Sequence, residues 1–379
     1  TKYRLRDWCA SRQRYWGCPI PIIYREDGAI IPVEESELPI LLPDDIDFSK
    51  QEGNPLSNHP SWKYTKCKRT GLKAVRETDT LDTFFDSSWY FIRFVDPNFI
   101  NPINERLVNN WCPVHQYVGG IEHAVLHLLY SRFFVKALLS LKDINFKEPF
   151  KGLFCQGMVC HKTYLDSDNK WVYPEDVTKK DFKFFHKVTG KEIKEQRSEK
   201  MSKSKKNIVD PINIINKYGA DTARFFMLSD SPPERKLEWT NSGIEGANKY
   251  LKKVWNFFNN LEINNFLLHE DYKYGQIKCK KLIEQTHNYI DKITRSLDNF
   301  QYNVAVAQIR EFSNIFMSFH LDKKSDEDFI ALKFSLTKWI ILVSPMIPHI
   351  AEELWKKIGY QDTLVCEQDW PKPNMSYTK

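Results

Sequence analysis

Apolar residues at helical spacing dominate the second half of the chain. Ile244, Ala247, Leu251, Val254, Trp255 and Phe258 form one stripe, and Val304, Ala307, Phe312, Ile315 and Phe319 form a second. Leu332, Leu336, Ile340 and Val343 give a third, stopped by Pro345 and Pro348, after which Ile350 and Leu354 resume the spacing. Recurrence at three- and four-residue intervals marks one buried helix face. Proline closes a helix because it brings no N–H. Long amphipathic helices in succession predict a helical bundle over 241–379.

The first half is mixed. Residues 1–23 are basic and then strand-like. Residues 24–78 are rich in turns, with Pro32, Pro39, Pro43, Gly53, Pro55, Pro60 and Gly71, and read as an insertion of short strands and loops. Over 79–160 an α/β pattern emerges. Ile121, Val125, Leu128, Leu129, Phe133 and Ala137 predict a helix over 121–141, and Phe150–Val159 reads as a buried strand. Residues 161–199 are charged without a clear period, as in a small appendage, and a lysine-rich loop follows at 200–206. The fold class is α/β followed by all-α, and there is no internal repeat.

Composition narrows the function classes. In 379 residues, 42% hydrophobic and 14% aromatic content supplies more than one core and excludes a disordered chain. The most apolar run, Val125–Leu141, is broken by His127, Arg132 and Lys136 and falls short of the roughly 18 residues a membrane span requires. A net charge of +6 is compatible with a nucleic-acid partner without indicating one. Eight cysteines without any C-x-x-C pair read as free thiols of a cytoplasmic protein, and no set with zinc-ligand spacing is present. The opening TKYRLRDW has neither an initiator Met nor a secretory leader, which suggests a processed chain or a piece of a longer one.

The most informative segment is Lys200-Met201-Ser202-Lys203-Ser204-Lys205-Lys206. A charge run is usually a solvated surface. Here small hydroxyl residues between the lysines let backbone amides approach an oxyanion, which suits a polyphosphate whose charge grows in a transition state. The literal KMSKS, with Asn207, Asp210-Pro211 and Tyr218-Gly219-Ala220-Asp221-Thr222-Ala223-Arg224 beyond it, matches the signature text of class I aminoacyl-tRNA synthetases. The phrase WCASRQRYWGCPIP over Trp8–Pro21 resembles the return strand shared by leucyl, isoleucyl and valyl enzymes. Two further stretches, RETDTLDTFFDSSWY over Arg76–Tyr90 and YVGGIEHAVLHLLY over Tyr117–Tyr130, look leucyl. Over essentially its whole length the chain resembles the central-to-C-terminal part of bacterial-type leucyl-tRNA synthetases.

That resemblance implies the second half of a Rossmann-like nucleotide-binding fold followed by a helical domain of the anticodon-binding type. It divides the chain into a return strand from an editing insertion (1–23), a degenerate zinc-ribbon-like insertion (24–78) and the second half of the catalytic fold (79–160). A leucine-specific insertion (161–199), the KMSKS loop with a stem-contact region (200–240) and the helical tRNA-binding domain (241–379) follow. The implied reaction is ATP-dependent activation of leucine, with Mg2+ carried on the phosphates, and transfer to tRNA(Leu). Lys200 and Lys203 are the implied catalytic residues, holding the β and γ phosphates. Gly119, Gly120, Glu122, Met158, Met201, Ser202 and Ser204 fall at ATP-binding positions, and Phe84, Ser87, Tyr90, His123 and His127 at leucine-binding ones. Arg12 and Arg14 fall at tRNA-contacting positions.

His123 and His127, four apart on a helix, invite a metal reading. Ala124 replaces the Glu that H-E-x-x-H requires, and no third ligand is evident. Where relatives carry two C-x-x-C knuckles, only Cys67 remains, so no zinc is expected. The class I tetrapeptide H-x-G-H does not occur in the sequence. The expectation is a chain inactive alone that works with a separate N-terminal half bearing it. A non-catalytic tRNA-binding fragment and an isoleucyl or valyl relative are the alternative readings.

Overall fold

The computed structural model describes residues 9–48, 53–141, 144–261, 280–319 and 326–377. The chain divides into two units, Thr1–Cys155 and Gln156–Lys379. Trp8 of the return-strand phrase and Cys279 lie outside the described residues.

In the first unit, strand β1 (Ser11–Arg12) precedes a small antiparallel sheet of β2 (Ile22–Arg25), β3 (Ile30–Pro32), β4 (Tyr64–Lys66) and β5 (Lys73–Arg76), in the order β3-β2-β5-β4. Its small core is Ile23, Cys67 and Ala74, with Ile31 and Val33 packed alongside. The Cys67 thiol is pulled below its ordinary value by a hydrogen bond with Thr70, and Arg25 also bonds it. Arg25 is itself paired with Asp27. A guanidinium thus stands beside this lone thiol, an arrangement that does not fit a zinc ion. Among the described residues, no three His, Cys, Asp or Glu side chains group where a metal could be held.

Strand β6 (Thr80–Leu81) pairs antiparallel with β1 and leads into α1 (Thr83–Ser87), α2 (Tyr90–Arg93) and α3 (Glu105–Trp111). Strand β7 (Tyr117–Gly120), helix α4 (His127–Leu141) and strand β8 (Leu153–Gln156) form a strand–helix–strand crossover, and the bridge Val114–Phe150 beside the two strands is parallel. The helix expected over 121–141 is interrupted. Ile121–Val125 form a 3-10 turn, and Leu126, at φ −121° and ψ −109°, breaks the helical path before α4 begins. The break rotates the buried face onto His127, Leu128, Tyr130, Ser131 and Val135, leaving Ile121, Val125 and Phe133 exposed. A stripe counted through a break loses its phase. The single strand expected over 150–159 is likewise split, with Gly157 as the corner. Its N–H donates to Pro233 O at 2.8 Å, and a Cβ there would run into the Arg235 carbonyl.

The second unit opens with a sheet where the sequence showed no period. Strands β9 (Val159–Leu165), β10 (Trp171–Val172), β11 (Val177–Lys180), β12 (Lys183–His186) and β13 (Glu192–Lys200) are ordered β10-β9-β13-β12-β11, all antiparallel. Buried positions are sparse here, chiefly Cys160, Thr163, Val172 and Ile193. Directly opposed residues are often of mixed character, as in Tyr164–Glu195 and Phe185–Glu192, and ion pairs such as Lys162–Glu195 and Lys183–Glu192 link neighbouring strands, which hides the alternation.

Helices α5 (Pro211–Tyr218) and α6 (Ala220–Ser229) follow, then β14 (Leu237–Glu238), parallel to β9. The bundle consists of α7 (Asn241–Asn259), α8 (Lys280–Asp298), α9 (Tyr302–Met317), α10 (Asp326–Val343) and α11 (Pro348–Lys357). The stripes of α7 and α10 pack inward as their spacing predicts. On α9 the predicted stripe is out of phase only at its start: Val304 and Ala307 are exposed, with Ala305, Val306 and Ile309 buried instead, whereas Phe312 is buried as expected and Ile315 and Phe319 pack against a smaller cluster. Trp339 sits at the centre of the core and donates its indole N–H to Ile309 O at 3.1 Å, satisfying the polar atom burial would otherwise strand. No helix among the described residues is long and apolar enough to cross a membrane.

Candidate active site

The first unit gathers an aromatic and imidazole cluster around one cavity. Asp82 begins α1 by accepting a hydrogen bond from Phe84 N at 2.9 Å, and Arg12 pairs with the same carboxylate at 2.9 Å. Arg12 is therefore engaged in holding α1, whereas Arg14 is exposed. The even spacing of Phe84, Ser87 and Tyr90 suggests one helical turn, but the path breaks at Ser88–Trp89 and Tyr90 opens α2. The three side chains nevertheless converge. Phe84 meets the His123 ring edge-on at 6.1 Å, Tyr90 lies 5.9 Å from His127, and the two imidazoles are 6.1 Å apart.

A hydrogen-bond chain fixes His127. Ser87 Oγ donates to Phe84 O at 3.1 Å, which leaves it to accept from His127 Nδ1 at 3.4 Å. On the other side of the ring, Tyr117 Oη lies 2.7 Å from Nε2 and 2.7 Å from Tyr90 Oη. The pattern assigns Tyr90 as donor to Tyr117 and Tyr117 as donor to Nε2, with the imidazole proton on Nδ1. Burial, with His123 nearby, pushes the His127 pKa down, and burial with the Tyr90 bond pushes that of Tyr117 up. Both shifts keep the relay neutral. His123 Nδ1 is buried without a hydrogen-bond partner among the described residues.

Tyr117, Val118, Gly119, Gly120, His123, His127, Leu128, Leu153 and Cys155 line a cavity of about 240 Å³. Nothing crowds Gly119, whereas the Glu122 carboxylate folds back against Gly120 so closely that a Cβ there would collide with it. Sequence reasoning missed Tyr117. Its signal was strand alternation, which puts residues 117 and 119 on one face of β7.

In the second unit, β13 runs straight into the lysine loop, with Lys200 opposite Cys160. Asn207, fully buried, ties the loop shut. Its Oδ1 accepts from Ser202 N at 2.9 Å, while Nδ2 donates to Glu199 O at 3.0 Å, Lys200 O at 3.3 Å and His161 O at 3.2 Å. Met201 N donates to Val159 O, and Met158 O accepts from Leu237 N, so both methionines adjoin β9. Ser202 Oγ lies 3.2 Å from Ser204 Oγ and accepts from Lys205 N at 3.3 Å. The lysines are not equivalent. Lys205 pairs with Glu199 and lies 5.9 Å from the Trp171 ring, Lys206 lies 5.2 Å from Tyr173, and Lys203 is exposed at the loop tip.

The leucine set and the Gly119–Glu122 segment thus come together in the first unit. Lys200, Met201, Ser202, Lys203 and Ser204 come together in the second, with Met158 next to β9.

The profile of tRNA synthetases class I (I, L, M and V) matches residues 3–164 and 176–240, and that of the anticodon-binding domain of tRNA ligase matches 279–379. The leucine–tRNA ligase of Rhodospirillum rubrum is 48% identical over 377 residues, 98% of this chain and 43% of its own length. That of Ehrlichia canis is 48% identical over 373 residues, with the same 98% and 43% coverage. Among solved structures, the ternary complex of Agrobacterium radiobacter K84 agnB2 LeuRS, tRNA and LeuAMS superimposes with a TM-score of 0.79 at 36% identity, over 99% of this chain and 43% of that one. The chain therefore spans less than half the length of these relatives. With the synthetase profile on its first 240 residues and the anticodon-binding profile on its last hundred, the chain belongs to the class I tRNA synthetases.

Proposed function

We propose that the chain is part of a leucine–tRNA ligase. It would contribute to the activation of leucine by ATP and the transfer of the leucyl group to tRNA(Leu), in the cytoplasm. The observation that carries this reading is the neutral, hydrogen-bonded His127 among Phe84, Tyr90 and Tyr117. A pocket walled by rings, with the His127 imidazole already bonded on both nitrogens, suits an aliphatic side chain and penalises a charged one.

In the reaction, the leucine carboxylate attacks the α-phosphorus of ATP and pyrophosphate leaves. The terminal ribose hydroxyl of the tRNA then takes the leucyl group from the adenylate. Lys203, with Lys200, would hold the β and γ phosphates as charge moves onto the leaving group. Backbone amides around Ser202 and Ser204 would lie along those phosphates. The open face at Gly119 would admit the adenosine, with Gly120 beside it leaving room for the Glu122 carboxylate to meet the ribose hydroxyls, and Met158 and Met201 toward the base. Mg2+ would travel with the phosphates and neutralise them. Arg14 is the better placed of the two arginines for a tRNA phosphate, since Arg12 is committed to Asp82.

Leucine-dependent exchange of pyrophosphate into ATP tests this reading. It is measured with the chain alone and with the H-x-G-H-bearing portion of the relatives supplied. Exchange only in the mixture supports a catalytic part that needs its partner. Silence in both would leave a tRNA-binding piece without catalysis.

A further inference from the structure

Strand pairing in the small sheet of the first unit puts a charge where a core residue is expected. Ile23 on β2 stands opposite Arg76 on β5, and Thr65 on β4 stands opposite Ala74 on β5. Side chains alternate between the two faces of a sheet, so these four share one face. Ile23 and Ala74 are core residues there, and the half-buried Arg76 stands in the same row.

The loop over 33–41 and Trp62 close over this face and leave a cavity of about 230 Å³, with Ile23, Val33, Ile40, Leu41 and the indole in its wall. Trp62 is fixed at both ends. Its backbone N–H donates to His59 Nδ1 at 2.9 Å, and its indole N–H donates to Leu41 O at 2.8 Å. The Arg76 guanidinium lies 5.8 Å from the Trp62 ring and is held through a single nitrogen, Nη1, by the carbonyls of Trp62 and Tyr64. Glu37 lines the same cavity, and one of its oxygens accepts from Glu34 N at 3.3 Å. Among the described residues, neither Arg76 nor Glu37 forms an ion pair, with each other or with a third group.

A cation and an anion therefore border one apolar-walled space without meeting. The free edge of a guanidinium fits a carboxylate, and a carboxylate attracts an ammonium. A half-buried charge without a partner is unfavourable, so a ligand carrying both complementary groups gains at both ends. The cavity is smaller than the roughly 300–1,000 Å³ usual for drug-sized ligands, which favours a single amino acid over a nucleotide.

We propose that this cavity is a second binding site, for a small aliphatic α-amino acid. Its carboxylate meets Arg76, its ammonium meets Glu37 and its side chain lies against Val33, Ile40 and Leu41. The site shares no lining residue with the His127 cavity and does not depend on the ligase reading.

Equilibrium dialysis of radiolabelled L-leucine against the full chain tests this, in wild type and in His127→Gln, which alters only the other cavity. The competitors are 4-methylpentanoate, which lacks the ammonium, and 3-methylbutylamine, which lacks the carboxylate. The expected result is saturable binding that persists in His127→Gln, with each competitor about ten-fold or more weaker than unlabelled leucine, as loss of one charge-assisted bond requires. Glu37→Gln keeps an acceptor for Glu34 N, so the loop is retained. It should weaken leucine about ten-fold and leave 4-methylpentanoate unchanged. Arg76→Gln should weaken both, with partial recovery in Arg76→Lys. No saturable binding in His127→Gln, or unchanged leucine affinity in Glu37→Gln, overturns the proposal. Retained leucine binding in a chain that never supports pyrophosphate exchange would sink the ligase reading and leave this one standing.

Discussion

The Asp221 carboxylate, at the start of α6, accepts a hydrogen bond from the backbone N–H of Ile350 at 2.6 Å, across 129 residues of sequence. Its other oxygen lies 3.0 Å from His349 Nδ1. Helix α11 begins at Ile347 without a side-chain cap of its own, so the cap arrives from another helix. Arg224, one turn along α6, donates to Pro345 O at 2.7 Å and Met346 O at 3.2 Å. One face of α6 therefore holds both sides of the turn that starts α11.

Replacing Asp221 with Ala removes that cap and leaves a shielded N–H without a partner. The expected loss of stability is about 1–3 kcal/mol. Urea unfolding followed by tryptophan fluorescence measures it, and a loss below about 0.5 kcal/mol would show that the bond contributes little.

Tyr117→Phe deletes the donor to His127 Nε2 while keeping the ring stacked on Phe150 at 3.9 Å. In the complemented enzyme, the KM for leucine should rise about ten-fold, as expected for a lost buried hydrogen bond. The KM for ATP should hold. An equal rise in both would point to general disruption of β7.

The His127 pKa lies below its ordinary 6.5, chiefly through burial. The unfolded chain then binds a proton that the folded chain resists. This contribution is complete above the ordinary value and is lost as pH falls through the folded one. His161 and His287 are shifted in the same direction by burial. Stability should therefore drop on going from about pH 7 to about pH 5, and His127→Gln should make the drop shallower. A parallel pH profile in the variant would mean that His127 takes up its proton without cost in the folded state.

Lys203→Ala and Lys206→Gly should separate charge from conformation in the loop. Loss of the exposed Lys203 should cut pyrophosphate exchange about 10²-fold with unfolding unchanged. Lys206 has φ 53°, where glycine is at ease. Lys206→Gly should leave exchange within a few-fold of wild type and stabilise the fold slightly, by about 0.5–1 kcal/mol. Equal loss of exchange in both variants would contradict the division of roles among the lysines.

Much of this was legible in the sequence, and the failures share a cause. The α10 stripe of Leu332, Leu336, Ile340 and Val343 packs as its spacing requires because nothing interrupts that helix. The stripe read over 121–141 failed because Leu126 breaks the path, and periodicity cannot register a local dihedral break. The sheet at 161–199 was invisible because few of its positions are buried and aromatic residues stand opposite charged ones, as in Tyr164–Glu195 and Phe185–Glu192, so no clean alternation announces a strand. At the candidate site, five expected leucine-pocket residues converge, yet the tyrosine that fixes the His127 tautomer is recognisable only once the hydrogen bonds are seen. Arg12 illustrates the reverse case: its commitment to Asp82 depends on a strand pairing, β1 with β6, that no local pattern encodes.

The amide of Asn207 also bears on time. With Ser202, Glu199 and Lys200 all bonded to one buried side chain, the base of the lysine loop is a closed ring. Opening that ring means breaking several bonds together, which belongs to the microsecond range or slower. Swinging the Lys203 ammonium from solvent toward a phosphate requires only rotations about its own side-chain bonds, which take picoseconds to nanoseconds. The loop can therefore follow a shift of charge during a reaction without waiting for its backbone.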